Sequence, residues 1–256
     1  MNRQMSSTTM FEALRGIPRP AAFWLPRGCA LLAAAIAPLP LALDLKLGLT
    51  MASTGPILWP LSVLLVVATA LLARRDHDQA LLHTLFVALL AGAIATSTYD
   101  TFRLAGLSAG VIDMDEAFDF GQRLTGQIAA GAMHDAMGDT MDDAMPGENK
   151  PAVQSNLGVT TLLGYSYHFW NGAMFSLTFL ILFGIRRWWL PILFMVLIIY
   201  TGMVFVMGVH SMESFILEAI GHAAFGATMG VVSWVYLARF NTDPHVDAAK
   251  IPINQL

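Results

Sequence analysis

Several ionisable side chains lie inside long apolar stretches, where such groups are costly and usually face a helix-bundle interior or a water-filled cavity. Two carboxylates and two imidazoles among them could do chemistry together: Asp100, Glu218, His168 and His222. Two imidazoles with one or two carboxylates form a ligand set that suits Zn, Fe, Mn or Cu. Glu218 and His222 stand four residues apart, so one helix face presents both to a single ion. The pattern predicts a divalent or copper ion held by these four residues, and His210 is a further candidate ligand.

The same side chains also fit a purely structural role. Asp100 can pair with Arg103 on the next helical turn, and each imidazole can bond a Ser, a Thr or a backbone carbonyl on a neighbouring helix. If the site is catalytic, Arg103 and Glu213 are the candidates for acid–base or supporting roles. Four neighbouring side chains are predicted either to line a pocket for an apolar molecule or to lie at the membrane interface: Tyr99, Tyr167, Trp170 and Asn171.

Three of these intramembrane positions share a depth and a type of helix face. Asp100, His168 and His222 each lie roughly 10–12 Å below the predicted outer boundary, at 1.5 Å per residue. Each belongs to a stripe of small residues with a spacing of four. Because membrane helices pack most closely along such stripes, the three apolar stretches are predicted to converge, with Glu218 one turn further outward.

A second candidate site lies in the segment between the third and fourth apolar stretches. Methionine recurs there every four residues, with one histidine beside it: Met133, His134, Met137, Met141 and Met145. Thioethers and imidazole favour copper, above all Cu(I). The same spacing also describes an amphipathic helix that lays its methionines on the membrane or on the spans.

The composition indicates which elements position these residues. Of the 256 residues, 56% are hydrophobic and 12% are charged, whereas an average soluble domain is about 25% charged. So little charge excludes an ordinary soluble domain, and a net charge of −4 gives no support to nucleic-acid binding. The single cysteine, Cys29, excludes a disulfide within the chain.

A spanning helix needs about 20 mostly apolar residues. Six stretches approximately meet this length: Leu25–Leu43, Pro56–Ala73, Ala80–Leu107, Thr160–Gly184, Trp188–Gly208 and Ser214–Phe240. The sequence therefore predicts an all-α, polytopic transmembrane helix bundle of about six spans. The first stretch contains three prolines, and its alternative interpretation is the core of a cleaved signal peptide.

The distribution of charge predicts the topology. Ten of the fourteen Lys and Arg residues fall on one side of the six alternating spans, as the positive-inside rule requires of the cytoplasmic side. The expected location is a bacterial inner membrane, with residues 1–24 and 241–256 as cytoplasmic tails and 25–240 as the membrane domain. Residues 108–159 hold nine of the eighteen acidic residues and are predicted to form a partly helical periplasmic loop.

Three segments are similar to parts of uncharacterised bacterial multi-pass inner-membrane proteins with a domain of unknown function: Ala95–Arg103, Tyr167–Gly172 and Gly221–Gly226. This resemblance covers the third to the sixth span and implies no activity. In ligand type the chain also resembles the C subunit of particulate methane and ammonia monooxygenases, a helical membrane protein with intramembrane Asp and His copper ligands. That family's Asp-x-x-x-His followed by a third His is not reproduced around Asp100 or His168.

Three functions fit this sequence. The first is an outward-facing intramembrane metal or ligand site between the third, fourth and sixth spans, belonging to a metalloenzyme that acts on an apolar substrate. The second is a non-catalytic subunit or assembly factor of a membrane complex or homo-oligomer, and the third is a transporter or metal-handling accessory. The lipid bilayer is the partner that all three share. No serine-hydrolase, zinc-protease or phosphate-loop motif is present.

Overall fold

The computed structural model describes residues 21–112, 115–127, 157–185, 187–207 and 211–240, and these residues form helices with no strand among them. In chain order the helices are α1 (Ala21–Ile36), α2 (Leu39–Leu47), α3 (Met51–Arg75), α4 (Gln79–Ser108), α5 (Glu116–Leu124), α6 (Leu157–Leu182), α7 (Leu190–Phe194), the π-helix π1 (Met195–Tyr200), α8 (Thr201–Met207) and α9 (Met212–Phe240). The predicted all-α class is confirmed. The candidate ligand His210 and the whole methionine pattern between Met133 and Met145 lie outside the described residues.

Three of the described helices are long and apolar enough to cross a membrane: α3, α4 and the part of α9 from Met212 to Leu237. Helices α1 and α2 add a fourth if they count as one span, because they are bent by 41° at the break between them. Helix α6 has the length, but its central Tyr, Ser, His and Asn side chains reduce its hydropathy. The apolar run Leu190–Val206 is shorter. Three or four candidate spans therefore lie among the described residues, and the six spans stay a prediction.

The surfaces of these helices suit lipid better than water. Large apolar side chains on several helices are more than half exposed, among them Ile57, Leu64, Leu71, Leu162 and Phe205. Contiguous apolar surface of this kind is rare on soluble monomers. The arrangement therefore supports the membrane class that the composition predicts.

Small residues determine how closely the central helices approach. A side chain at Gly92 of α4 would collide with the backbone of Ala173 in α6, and one at Gly172 would collide with Thr96. Helices α4 and α6 thus pack along the stripes predicted for the third and fourth spans. The glycines of α9 divide between two neighbours: Gly221 lies against Tyr99 of α4, whereas Gly226 lies against the backbone of Ile192 in α7.

The short helix α5 closes one end of this bundle. Its first turn is capped by Asp115, whose carboxylate accepts a hydrogen bond of 3.2 Å from the Phe118 amide, as N-capping aspartates do. At Gly164 of α6 the two helices touch backbone to backbone, because a side chain there would collide with the Ala117 carbonyl. The sequence predicts helix in this loop, and the described part is packed into the protein rather than laid on its surface.

A buried ion triad ties α5 to the end of α2. The Arg123 guanidinium donates from Nε to Asp119 Oδ2 at 2.8 Å and from Nη1 to Asp44 Oδ2 at 3.1 Å. All three side chains are at most 2% exposed. Since α2 follows the bend after α1, the triad also holds that bent segment against the bundle.

Candidate functional site

The site is centred on a contact between Asp100 of α4 and His168 of α6. Asp100 Oδ1 lies 3.0 Å from His168 Nε2. Because a carboxylate can only accept, Nε2 carries the proton and donates it, and a ring that holds this one proton keeps a lone pair on Nδ1. The described residues offer no hydrogen bond to that Nδ1. His168 therefore has one nitrogen fixed by the protein and the other available to a ligand.

Arg103 holds the carboxylate in place. Its Nε donates to Asp100 Oδ1 at 3.1 Å, and its Nη1 donates to Asp115 at the start of α5. Burial alone would raise the pKa of Asp115, but the hydrogen bonds from Arg103 and from the Phe118 amide outweigh it and hold this pKa below its ordinary value. Tyr165 donates a further hydrogen bond of 3.1 Å to Asp115. The network thus links α4, α5 and α6 in one chain of polar contacts.

Glu116, the residue after Asp115, lies near the same groups, but its pKa is shifted in the opposite direction. Its carboxyl accepts a long hydrogen bond of 3.4 Å from the Tyr99 hydroxyl. Burial raises the pKa of Glu116 above its ordinary value, although the nearby His168 and Arg103 oppose the shift. The first turn of α5 therefore presents a carboxyl that holds its proton more firmly than Asp115 does.

These groups border a cavity of about 90 Å³ between α2, α4, α5, α6, π1, α8 and α9. Most of its wall is apolar, from Phe, Met, Leu and Pro side chains. The polar lining comes from six residues: Thr96, Tyr99, Glu116, His168, Asn171 and His222. A mainly apolar cavity with a few converging polar groups is the usual form of a small-molecule site.

His222 reaches the cavity from α9 and is 4% exposed. Its ring lies between two tyrosine rings, with centroids 4.9 Å from Tyr99 and 5.1 Å from Tyr200. Its Nδ1 is 2.8 Å from the Glu218 carbonyl oxygen, one turn earlier on the same helix. The imidazole is therefore held by its own helix and by aromatic packing.

The predicted ligand set is gathered only in part. Asp100 and His168 are in contact, and His222 lines the same cavity. Glu218 engages His222 through its backbone carbonyl. Within the described ranges, no three His, Cys, Asp or Glu side chains come together as a group that could hold a metal ion.

The predicted supporting residues have different places. Tyr99 and Asn171 line the cavity as predicted, whereas Trp170 turns away and donates from Nε1 to Ser62 Oγ at 2.9 Å. Tyr167 is fully buried in a separate cluster with Trp59 and Phe120. Arg103 belongs to the polar network, while Glu213 is exposed in the first turn of α9.

Sequence reasoning missed the contribution of α5, π1 and α8 to the site. Asp115 and Glu116 counted only as acids of the outer loop, yet an Asp followed by acidic residues in the first turn is a signal for the start of a helix. Met203 gave no such signal, because one methionine among many in an apolar run carries no pattern.

The fold and the site together define an all-helical, membrane-type protein with an imidazole-lined cavity under a short capping helix. The chain matches no protein-family model, no curated protein and no solved structure.

The raised pKa of Glu116 predicts how stability changes with pH. A raised pKa means that the fold favours the protonated carboxyl, so this contribution is present below the ordinary Glu value of about 4.3 and is lost as the pH rises through the folded value. Unfolding free energies of the wild type should therefore fall relative to those of Glu116→Gln across that range. The measurement is denaturant unfolding in mild detergent at a series of pH values.

The exposed Glu213→Gln is the matched control for this experiment and should follow the wild type at every pH. Asp115 does not interfere, because its lowered pKa removes stability only at lower pH, as the pH falls through that value. Parallel curves for the wild type and Glu116→Gln would show that the burial of this carboxyl has no effect on stability.

Proposed function

We propose that the chain is a six-span membrane protein whose cavity takes up a small, largely apolar molecule, and that His168 transfers a proton to or from that molecule. The observation that carries the proposal is the 3.0 Å contact between Asp100 and His168 at the edge of a cavity with chiefly apolar walls. A carboxylate that orients one imidazole nitrogen leaves the other as a directed base.

The neighbouring groups suit such proton transfer. Arg103 fixes Asp100, so the imidazole cannot turn freely about its hydrogen bond. Glu116, whose pKa is raised by burial, lines the same cavity and supplies a carboxylic acid opposite the base. Titratable groups whose environments differ in this way are the usual partners in acid–base catalysis. The apolar wall favours a substrate that partitions from the bilayer.

A site of this kind fits the geometry better than a four-ligand metal centre. Asp100 Oδ1 already accepts hydrogen bonds from Arg103 and His168, so this oxygen is occupied within the protein. The contacts of Asp100, Arg103 and His168 favour neither of the other two hypotheses, the subunit or assembly factor and the transporter or metal-handling accessory.

The proposed topology has six crossings of a bacterial inner membrane, with both termini cytoplasmic. It is supported by the charged residues, which differ between the two ends of the bundle. Arg27 of α1 pairs with Asp78 before α4 at 2.8 Å, at the end that also carries Arg74 and Arg75. The acid-rich contacts of α5 lie at the other end. A basic end in the cytoplasm places the cavity on the outer side.

A first experiment tests occupancy of the cavity. Native mass spectrometry of protein extracted in mild detergent should detect a bound small molecule in the wild type. Leu41 lines the cavity, so the larger side chain of Leu41→Trp should occupy part of its volume. This variant should retain at least fivefold less of the bound molecule. Leu64→Trp, at a 63% exposed position on α3, is the matched control and should bind normally. Equal retention in both variants would refute the assignment of the cavity.

A second experiment tests the base. In D₂O, a molecule bound to the wild type should gain carbon-bound deuterium, because a base that removes a carbon proton returns a deuteron from solvent. His168→Gln should slow this exchange by about 100-fold or more, the usual contribution of general-base catalysis. His83 is exposed near the start of α4, away from Asp100. A molecule bound to His83→Gln should therefore exchange at the wild-type rate. Unchanged exchange in His168→Gln would exclude the imidazole as the base.

A further inference from the structure

The side chains of His222 and Met203 are in contact at the cavity wall. The proposed proton transfer gives neither residue a role. His222 Nε2 lies 3.3 Å from Met203 Sδ. Both residues line the cavity, and they come from different helices, α9 and α8. The pair is independent of the contact between Asp100 and His168, which lies on α4 and α6.

The chemistry of the pair depends on which ring nitrogen of His222 carries the proton. A carbonyl oxygen can only accept a hydrogen bond, so the 2.8 Å contact with the Glu218 carbonyl assigns the proton to Nδ1. The neutral ring then directs the lone pair of Nε2 at the thioether, which also has only lone pairs to offer. Two electron-pair donors in contact inside an apolar wall are stabilised when a cation lies between them.

The spacing of the two donors is right for one shared ion. Metal–nitrogen bonds of about 2.0 Å and metal–sulfur bonds of about 2.3 Å place the two donor atoms roughly 3.0–3.7 Å apart for bond angles between 90° and 120°. The observed 3.3 Å falls within that range. No movement of either helix is therefore needed to bring an ion to both atoms.

The donor types and their surroundings select the ion. An imidazole and a neutral thioether are ligands that favour Cu(I) over hard cations. A second thioether, that of Met195, and the imidazole of His168 line the same cavity. The carboxyl group of Glu116 lines the same cavity, and a bound cation would favour its ionised form.

We propose that His222 Nε2 and Met203 Sδ form a binding site for a soft monovalent cation of the Cu(I) class. The proposal goes beyond the proton-transfer function and can fail separately from it. Met203→Leu leaves Asp100 and His168 in contact, and His168→Gln leaves the imidazole–thioether pair intact. Binding requires no oxidation or reduction, since the ion is supplied as Cu(I).

The test is anaerobic titration of the full-length, detergent-purified protein with Cu(I) against a coloured Cu(I) chelator. The wild type should bind one ion that X-ray absorption shows with sulfur at about 2.3 Å. Met203→Leu should lose that sulfur contribution and bind at least tenfold more weakly. His222→Gln should also bind at least tenfold more weakly, because it removes the nitrogen ligand. Leucine matches methionine closely in volume, so this change is expected to cost less than about 1.5 kcal/mol of stability.

Met174→Leu is the matched control, because Met174 is fully buried in α6 away from the cavity lining. It should bind Cu(I) as the wild type does. Replacing Met133, Met137, Met141 and Met145 with leucine should also leave this ion in place. Loss of the ion only in this fourfold variant, or full binding by Met203→Leu, would overturn the proposal, and so would a wild type that binds no Cu(I).

Discussion

Arg123→Met is expected to lower the free energy of unfolding by about 3–5 kcal/mol, the usual cost of removing one partner from a buried ion pair. The guanidinium is wholly buried and lies between Asp44 and Asp119, which are 1% and 2% exposed. Without it, two carboxylates from α2 and α5 would face each other in a dry environment. Burial already raises the pKa of Asp119 despite Arg123, so the anion is costly even in the wild type.

Titration with SDS from mild detergent, followed by circular dichroism, measures this loss. Arg75→Met removes an exposed arginine and should change stability by less than about 0.5 kcal/mol. The triple variant Asp44→Leu, Asp119→Leu and Arg123→Met removes every charge of the triad and should recover most of the loss. A triple variant as unstable as Arg123→Met would mean that packing of the long side chain, rather than charge, explains the effect.

Arg103→Met is expected to have a comparable effect, nearer to 3 kcal/mol because one of its two carboxylates is partly exposed. The Arg103 side chain is 1% exposed, whereas Asp100 is 9% and Asp115 24% exposed. The change leaves two anions without their shared cation at the junction of α4 and α5. Asp100 also loses the hydrogen bond that fixes it beneath His168, so the cavity should lose its ordered imidazole.

Two measurements separate these consequences. SDS titration gives the stability, and deuterium exchange of the bound molecule reports whether His168 still acts as a base. Asp100→Asn in the Arg103→Met background should recover stability, because it removes one of the two uncompensated charges, but it should not restore exchange. A single Arg103→Met variant that keeps both stability and exchange would contradict the role assigned to the network.

The sequence predicted well those features that depend on local periodicity. The stretch Ala80–Leu107 differs by one residue at each end from α4, because Asp78 is a clear N-cap whose side chain accepts from the Leu81 amide. The small-residue stripes also indicated the close packing of α4 on α6. Helical spacing is sufficient for both predictions, since it describes which residues share a face.

The remaining features depend on contacts between distant segments. Arg123 and Asp44 are 79 positions apart, and no periodicity relates a loop residue to the end of a bent helix. The prediction of six spans treated α6 as equivalent to α4, although its hydropathy is reduced by the polar side chains that form the site. A helix with polar side chains at its centre has a lower mean hydropathy than an equally long helix without them.

The π-helix between α7 and α8 lets this segment hold one residue more than a regular helix without turning Met203 away from the cavity. Its wide turns are evident where the Thr201 hydroxyl donates to the Val196 carbonyl, five residues earlier. In a regular α-helix, at about 100° per residue, Met195 and Met203 would be about 80° apart around the axis. The slower rotation of π1 reduces this angle and lets both methionines face one cavity. The segment thus behaves as a helix with one surplus residue. Deleting the exposed Leu197 would restore α-helical rotation with Met195 and Met203 seven residues and about 20° apart, so both methionines should still face the cavity.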